Sequence, residues 1–513
     1  MDGPALPDYP PTLWGLLERR ARLTPDAVTL EDEAGRSLRA ADVQVAAERV
    51  AAGLLALGVG TGVPVSWQLP SGIDAVVLLL ALSRVGAVQN PIIPMLRRRE
   101  VGFIVRQTGA RLLVTPGVWR GFDYAAMAAE LSAEHGFDTL VVTGGDLPEG
   151  DPASLGPAPD GEGDPVRHVY YTSGSTADPK GARHTDASAM ATATGMVTAW
   201  GFGAGDRIPA NFPFTHIGGV ACLVAMLYTG GCLYMVDTFD RERTPLDPGF
   251  RRSTFFGSAV PFFHAYLDAQ RRHGSEPLFP HVRAFTSGGA PTPPELYYEM
   301  KEVFGVGILS SWGLTEFPVA TGCTPTDTEA DLAETEGRPV VGVELRVVGA
   351  DGRDLPSGEE GELRVKGPQM CHGYVDAALD ADAFDDRGYF RTGDLGVVGR
   401  RGHVRITGRL KDIIIRNAEN LSAQEIENVL YTHPKVADVA VVGVPDHRTG
   451  ERACAVVVLA DGATGLTLAE LADFCRAAGL ANQKIPERLE LVDALPRNAL
   501  GKILKRELRT TFG

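Results

Sequence analysis

The feature that most constrains the fold is a regular alternation of helical and strand-like segments over the first half of the chain. One helical pattern has apolar residues three or four positions apart, at Val43, Ala47, Val50, Leu54 and Leu57. It ends at Gly58, and residues 63–69 that follow have the pattern of a buried strand. The alternation continues to about Val236. It predicts layers of parallel α/β structure, in which ligands bind at the carboxyl ends of the strands.

The second half of the chain has a different pattern. Past residue 340, short strands separated by turns predict a small β-rich subdomain. After Arg409 helices return, two of them opened by predicted capping boxes at Ser422–Glu425 and Thr467–Glu470. Because 513 residues are too many for one ordinary core, we predict a large N-terminal domain and a small α+β C-terminal domain. The N-terminal domain holds two α/β subdomains, with a solvated linker predicted at residues 144–165.

Charge, cysteine spacing and the distribution of apolar residues indicate which partners and which cellular location to expect. The net charge of −16 repels nucleic acid and anionic membranes. The six cysteines show no C-x-x-C spacing, and the acidic, proline-bearing start lacks a signal-peptide pattern, so a cytoplasmic protein is expected. The uncharged stretch from Ile217 to Val236 is interrupted by paired glycines. We interpret it as a buried helix, a glycine turn and a core strand, and we expect no integral membrane segment.

A loop rich in hydroxyl groups and glycine carries the strongest chemical signal. Its sequence is Tyr171-Thr-Ser-Gly-Ser-Thr-Ala-Asp-Pro-Lys-Gly181. Backbone N–H groups and hydroxyls in such a loop can donate to phosphate oxygens, and the lysine adds a positive charge. The order differs from that of a P-loop, since Lys180 precedes the last glycine. By itself the segment is also compatible with a flexible surface loop.

This loop resembles the signature of the acyl-adenylate-forming superfamily, which includes acyl-CoA synthetases, peptide-synthetase adenylation domains and beetle luciferases. Further signatures of that family occur in its order at Pro213–His216, Ser287–Ala290, Ser311–Glu316, Glu336–Pro339, Tyr389–Asp394, Gly408–Asp412 and Pro496–Lys502. The resemblance covers nearly the whole chain. It implies an AMP-binding domain over residues 1–408, a hinge at 409–412 and a mobile C-terminal domain over 413–513.

The resemblance also implies a set of nucleotide-binding residues. The phosphates of ATP are expected at Thr172, Ser173, Gly174, Ser175, Thr176, Lys180 and Thr315, with Mg²⁺ held by Thr176 and Glu316. The adenine is expected against Trp312 with its neighbours Ser311 and Gly313, opposite a narrow wall of Gly288, Gly289 and Ala290. Asp394 suits the two ribose hydroxyls, with Arg409 nearby.

Five further positions take roles from the same resemblance. Lys502 is expected to bridge the carboxylate and the α-phosphate during adenylation, and Lys411 to be the residue about which the C-terminal domain rotates. His216 is placed against the acyl group, where amino-acid-activating relatives carry an aspartate. Asn417 and Ala418 stand where the family has two glycines that line the tunnel for the pantetheine arm of coenzyme A.

The predicted activity is that of an ATP-dependent, AMP-forming acyl-CoA ligase with ATP, Mg²⁺ and coenzyme A as cofactors or co-substrates. A carboxylate is ionised at neutral pH, so the reaction needs alignment and charge neutralisation and no protein nucleophile. Because the segments 214–219, 257–263 and 287–289 contain no Lys or Arg, we expect an apolar monocarboxylic acid. The expected partners are this acid and CoA, and a homodimer is compatible with the sequence. A stand-alone ligase loading a carrier protein, a luciferase-like oxygenase and an inactive binding protein remain as alternatives.

Overall fold

The computed structural model describes residues 9–172, 179–257, 259–289, 292–416, 419–498 and 501–513. The first half contains α1 to α7 over Leu13–Leu23, Ala40–Ala56, Ile73–Val85, Arg98–Thr108, Tyr124–His135, Asp186–Trp200 and Ile217–Thr229. Its strands β1 to β12 span Val28–Asp32, Ser37–Arg39, Pro64–Trp67, Val88–Pro91, Leu112–Pro116, Val118–Trp119, Phe122–Asp123, Asp138–Val142, Val166–Thr172, Lys180–Thr185, Arg207–Ala210 and Cys232–Met235.

The second half continues with α8 to α14 over Val260–His273, Pro294–Phe304, Glu329–Glu334, Asp380–Ala383, Ala423–Tyr431, Leu468–Ala477 and Lys505–Phe512. Strands β13 to β20 span Phe255–Phe256, Ala284–Ser287, Ile308–Trp312, Thr321–Gly322, Arg338–Pro339, Glu344–Val348, Glu360–Lys366 and Phe390–Val398. Strands β21 to β26 span Val404–Arg409, Ile413–Arg416, Glu419–Ser422, Val436–Asp446, Gly450–Leu459 and Arg488–Leu491.

Three mixed sheets form the large N-terminal part, as the alternating pattern predicts. Their strand orders are β11-β12-β1-β2, β10-β9-β4-β3-β5-β8 and β13-β14-β15-β16-β17. The neighbours within β9-β4-β3-β5-β8, β11-β12-β1 and β13-β14-β15 are parallel. Helices α3 and α7 are buried on nearly every side, which explains why their sequences are apolar without a polar face. The predicted α/β fold class is confirmed.

The stretch from Ile217 to Val236 folds as the sequence predicts. It forms the buried helix α7, which ends at Gly230 with a φ of 84°, and then the core strand β12. The left-handed backbone at the helix end favours glycine, which has no Cβ to clash. Across the described ranges, no helix combines the length and the apolarity needed to cross a membrane.

The predicted β-rich subdomain is the antiparallel sheet β18-β19-β20-β21. The C-terminal residues form a further sheet, β23-β22-β25-β24, with β26 pairing β25. Helices α12 and α14 both pack against β24 of this sheet. The boundaries predicted for the hinge and for the two domains stay predictions; residues 410–412 form one turn of 3₁₀-helix between β21 and β22.

Two local expectations differ from the structure. The capping box is complete at Thr467–Glu470 but not at Ser422–Glu425, because the Glu425 carboxylate pairs with Lys484 Nζ at 2.6 Å instead. The predicted linker is anchored as well as solvated. Its Leu147, Leu155 and Ala158 pack against the main core, and the backbone N–H of Gly150 donates to Arg49 O of α2 at 2.9 Å.

Candidate active site

A cavity of about 1850 Å³ lies at the carboxyl ends of β9, β11, β14 and β15. It brings together every predicted site residue that the structure describes. Its wall contains Thr172, Lys180, His216, Gly288, Gly289, Ser311, Trp312, Gly313, Thr315, Glu316, Asp394, Arg409, Lys411 and Lys502. The remaining predicted residues, Ser173, Gly174, Ser175, Thr176, Ala290, Asn417 and Ala418, lie outside the described residues.

On one side of the cavity, a buried carboxylate is held by an arginine and a tryptophan. Asp394 on β20 lies directly opposite Arg409 on β21, and Arg409 Nε is 2.6 Å from Asp394 Oδ1. Trp312 Nε1 donates to Asp394 Oδ2 at 2.8 Å. Asp394 is only 2% exposed, so both contacts offset the cost of burying its charge. Each carboxylate oxygen can accept a second hydrogen bond, which leaves capacity for two hydroxyl groups of a ligand.

A second buried carboxylate lies near the end of the predicted phosphate loop. Tyr374 Oη donates to Glu316 Oε1 at 2.6 Å. Burial, together with the Glu316 carboxylate, raises the pKa of Tyr374, so this hydroxyl stays protonated and acts as the donor. Lys180 Nζ lies 5.4 Å from the centre of the Tyr374 ring. The carboxylate and the lysine therefore share Tyr374 as a common support.

The loop that carries Thr315 and Glu316 is fixed by a buried histidine. His184 Nε2 lies 2.8 Å from Thr315 O, and its Nδ1 lies 3.1 Å from Ser188 Oγ. Burial lowers the pKa of His184 to about 3, so the ring is neutral and its Nε2–H donates to the carbonyl. The motifs did not predict Tyr374 or His184 as site residues, because their partners lie 58 and 131 residues away.

Glu316 fits the part of a magnesium ligand. Among the residues that the structure describes, no three His, Cys, Asp or Glu side chains converge as a metal cluster. Mg²⁺ bound to a nucleotide keeps phosphate and water ligands and needs only one or two protein carboxylates. The single carboxylate of Glu316, in the cavity wall and oriented by Tyr374, meets that requirement.

The loop before α14 carries Lys502 into the same cavity. The Lys502 backbone N–H donates to Asn498 Oδ1 at 2.9 Å. Gly501 has a φ of 79°, and a Cβ at this position would lie 3.4 Å from Pro261 Cγ, so the loop passes beside the N-terminal part. Burial and the neighbouring Arg409 lower the pKa of Lys502 to about 8.

Another part of the cavity lining is apolar. The term acyl wall is used here for the lining residues of α6, β11, the loop into α7, α7 itself and positions 257, 260 and 261. They are Met196, Trp200, Ile208, Pro209, Phe212, His216, Ile217, Gly218, Ala221, Cys222, Gly257, Val260 and Pro261. None of these described residues is Lys, Arg, Asp or Glu. All three predicted segments contribute lining residues, although Phe214 and Phe263 within them are fully buried in the core, and α6 and β11 add lining residues that the sequence does not predict.

His216 lies in the acyl wall as an uncharged residue. Its Nδ1 accepts a hydrogen bond from Gly218 N at 3.2 Å, which caps the start of α7. Burial lowers the pKa of His216 to about 4, so the ring is neutral at neutral pH. It therefore adds no counter-charge for a second carboxylate of a substrate.

The chain matches the AMP-binding enzyme family over residues 17–375 and the C-terminal domain of AMP-binding enzymes over residues 425–502. It belongs to this family of acyl-adenylate-forming enzymes and is an acid–thiol ligase.

Two relatives carry names that differ in the acceptor. The chain is 30% identical to the medium-chain fatty-acid–CoA ligase of Escherichia coli, over 97% of this chain and 91% of that protein. It is 33% identical to the salicyl-AMP ligase / salicyl-S-ArCP synthetase of Mycobacterium tuberculosis, over 98% and 91%. Among solved structures, ATP-bound MatB from Rhodopseudomonas palustris superposes with a TM-score of 0.88 at 28% identity, covering 97% of this chain and 98% of MatB.

Proposed function

We propose that this enzyme is an ATP-dependent, AMP-forming acyl-CoA ligase that acts on an apolar monocarboxylic acid. The observation that carries the proposal is the composition of one cavity. Glu316, Asp394, Arg409 and Lys502 lie around the same space as an acyl wall without charge. Charged groups suited to ATP and an apolar surface suited to a hydrocarbon chain therefore line the same cavity.

In the first half-reaction a carboxylate oxygen of the acid attacks the α-phosphorus of ATP. The bond to the β-phosphate breaks, and acyl-AMP and pyrophosphate form. In this proposal Lys502 neutralises charge between the carboxylate and the α-phosphate, and Asp394 binds the ribose hydroxyls. Glu316 would hold Mg²⁺, which supplies charge neutralisation on the phosphates when bound. Trp312 would support the adenine and fix Asp394 through its N–H.

In the second half-reaction the sulfur of CoA attacks the acyl carbon, the bond to AMP breaks and the thiol loses its proton. Rotation about Lys411 is proposed to withdraw Lys502 and open the route for the thiol. His216 and the rest of the acyl wall hold the acyl group by excluding water. A second carboxylate on the acid would find no cation in this wall, which favours monocarboxylates.

A panel of acids tests the proposal. Butanoate, octanoate, dodecanoate, cyclohexanecarboxylate, benzoate, malonate and succinate are each incubated with ATP and Mg²⁺, and pyrophosphate release is measured. We expect the apolar monocarboxylates to give the highest rates and the two dicarboxylates to give rates near background. A preference for malonate or succinate would contradict the assignment of the substrate class.

The carrier-protein alternative has support from one relative, whose name includes the loading of a carrier protein. The two acceptors are separated by adding purified octanoyl-AMP to the enzyme in the presence or absence of CoA. Thiol-dependent release of AMP with formation of octanoyl-CoA is expected. AMP release that CoA does not accelerate would favour the carrier-protein reading.

A further inference from the structure

Strand β21 contains a bulge immediately before the predicted hinge. Leu395 on β20 pairs with Gly408, whereas the next residue of β20, Gly396, pairs with Ile406, so Thr407 has no partner on β20. An extra residue of this kind leaves backbone groups without partners in the sheet. Two side chains from other elements bind the backbone here. Ile406 N donates to Glu336 Oε2 at 3.0 Å, and Thr407 O accepts a hydrogen bond from Ser422 Oγ at 2.6 Å.

Ser422 lies on the other side of the hinge from Thr407. It is the N-cap of α12, where its Oγ accepts from Glu425 N at 3.3 Å. A hydroxyl can donate one hydrogen bond and accept two, so it caps the helix and binds the Thr407 carbonyl at the same time. The approach is close, because a Cβ on Gly408 would lie 3.1 Å from Ser422 Oγ. Glycine at 408 therefore leaves room for this contact.

Helix α12 is in turn connected to the residues around Lys502. Lys505, at the start of α14, makes an ion pair with Glu427 of α12, with Lys505 Nζ 2.8 Å from Glu427 Oε1. Both side chains are largely buried, which makes the pair costly to separate. Helices α12 and α14 also pack against the same strand, β24. A change in the position of α12 relative to β21 therefore moves Lys502 as well.

We propose that Ser422 is a positioning residue for adenylation: its hydrogen bond to the Thr407 carbonyl holds the C-terminal domain in the orientation that places Lys502 in the cavity. The proposal rests on the function proposed above. Residues 409–412 lie between the two bonded residues, so rotation there changes the distance from Ser422 Oγ to Thr407 O. The bond consequently exists in the adenylation orientation and breaks when the domain turns for thioester formation.

Three variants separate this role from simple helix capping. Ser422→Ala removes both the cap and the bond to Thr407. Ser422→Thr keeps the hydroxyl and should restore wild-type behaviour. Thr467→Ala is the matched control, because it removes the helix cap of α13 in the same domain, where the Thr467 hydroxyl bonds to Glu470 within its own capping box.

The first measurement needs no substrate. Trypsin cleavage after Arg409 and Lys411 in the ligand-free protein is followed by mass spectrometry. We expect Ser422→Ala to be cleaved about two- to tenfold faster than wild type, the range for loss of one hydrogen bond of ordinary net strength. Ser422→Thr and Thr467→Ala should be cleaved at the wild-type rate. Equal rates for Ser422→Ala and Thr467→Ala would overturn the proposal.

The second measurement splits the two half-reactions with octanoate as the probe. Ser422→Ala should slow pyrophosphate release while conversion of supplied octanoyl-AMP and CoA to thioester stays the same or becomes faster. Equal loss in both half-reactions would mean that Ser422 is only structural. Should Ser422→Ala fold poorly, Gly408→Ala displaces the same hydroxyl from the other side and should give the same split. Failure of the wild-type enzyme to adenylate any acid would contradict the proposed function and leave the proteolysis result valid.

Discussion

Single residues in the cavity take their geometry from partners that no local motif contains. Glu316 and Asp394 are each the acidic end of a recognisable signature, so the sequence predicts them directly. Their supports, Tyr374 and the indole N–H of Trp312, lie 58 and 82 residues away along the chain. Trp312 was predicted as a flat ring for adenine, but its hydrogen bond to Asp394 follows only from the fold.

Removal of the Tyr374 hydroxyl should impair adenylation. In Tyr374→Phe the Glu316 carboxylate loses the 2.6 Å hydrogen bond that orients it, while the ring remains. We expect kcat for pyrophosphate release to fall about tenfold, as for loss of one hydrogen bond to a charged group. Tyr389→Phe is a matched control, because Tyr389 Oη donates to Glu344 at the same 2.6 Å and Tyr389 does not line the cavity. Equal effects of the two variants would show that the Tyr374 hydroxyl has no specific role in adenylation.

Replacement of Trp312 should affect nucleotide binding more than turnover. Trp312→Phe keeps an aromatic surface but removes the N–H that donates to Asp394 Oδ2. Asp394 then lacks one of the two contacts that hold it, so we expect the KM for ATP to rise about fivefold with a smaller change in kcat. Calorimetric titration with ATP gives an independent value for the affinity. An unchanged affinity would show that Arg409 alone orients Asp394.

At the scale of elements, hydrophobic periodicity predicts what a helix or strand is, but not how its ends are bonded. Helix α7 and strand β12 are the two elements that the apolar pattern of residues 217–236 predicts, because buried elements need apolar residues on nearly every side. The start of α12 follows only half of its motif: Ser422 caps the helix, but the Glu425 carboxylate pairs with Lys484 of a distant segment. The bulge at Thr407 has no local signal either, since it depends on pairing with β20.

The connection between β21 and β22 gives a prediction about rotation. Lys411 is exposed, and Arg509 of α14 donates to its carbonyl at 3.1 Å and to Asp412 Oδ1 at 2.9 Å. Proline fixes φ near about −65° and so restricts rotation there, whereas alanine does not. Lys411→Pro should slow conversion of octanoyl-AMP and CoA far more than pyrophosphate release. Lys411→Ala should be mild in both assays, and a similar loss with alanine would show that the lysine side chain itself takes part in the chemistry.

At the scale of the whole molecule, the order of the signatures predicts which residues meet, but not their electrostatic state. The sequence places Lys502 close to the C-terminus in a glycine-preceded loop, and only the family resemblance brings it to the nucleotide. The structure adds that the loop passes beside Pro261 and that Lys502 lies within the electrostatic influence of Arg409, Asp394 and Asp412. Burial beside Arg409 lowers the pKa of Lys502. This effect can be seen only once the two domains are placed together in the structure.

That lowered pKa gives a prediction for adenylation as a function of pH. Lys502 must be protonated to neutralise charge between the carboxylate and the α-phosphate, and its pKa in the free enzyme is about 8. The proton is therefore present below this pH and is lost above it, so kcat/KM for pyrophosphate release should fall as the pH rises through about 8. Lys502→Arg keeps its charge throughout this range and should remove the alkaline decline, even if its rate is lower.

A substitution of Lys502 also tests whether this residue acts in the first half-reaction only. Lys502→Ala should slow acyl-AMP formation by about two orders of magnitude or more, because removal of a preorganised charge at the reacting phosphate has costs of that size. It should still convert supplied octanoyl-AMP and CoA to thioester, since Lys502 is proposed to leave the cavity for that step. The thioester assay on Lys502→Ala should also lack the alkaline decline, because ionisation of the CoA thiol favours attack at higher pH. Equal loss of both half-reactions in Lys502→Ala would show that Lys502 does not serve adenylation alone. An alkaline decline that persists in Lys502→Arg would show that another group near the cavity titrates.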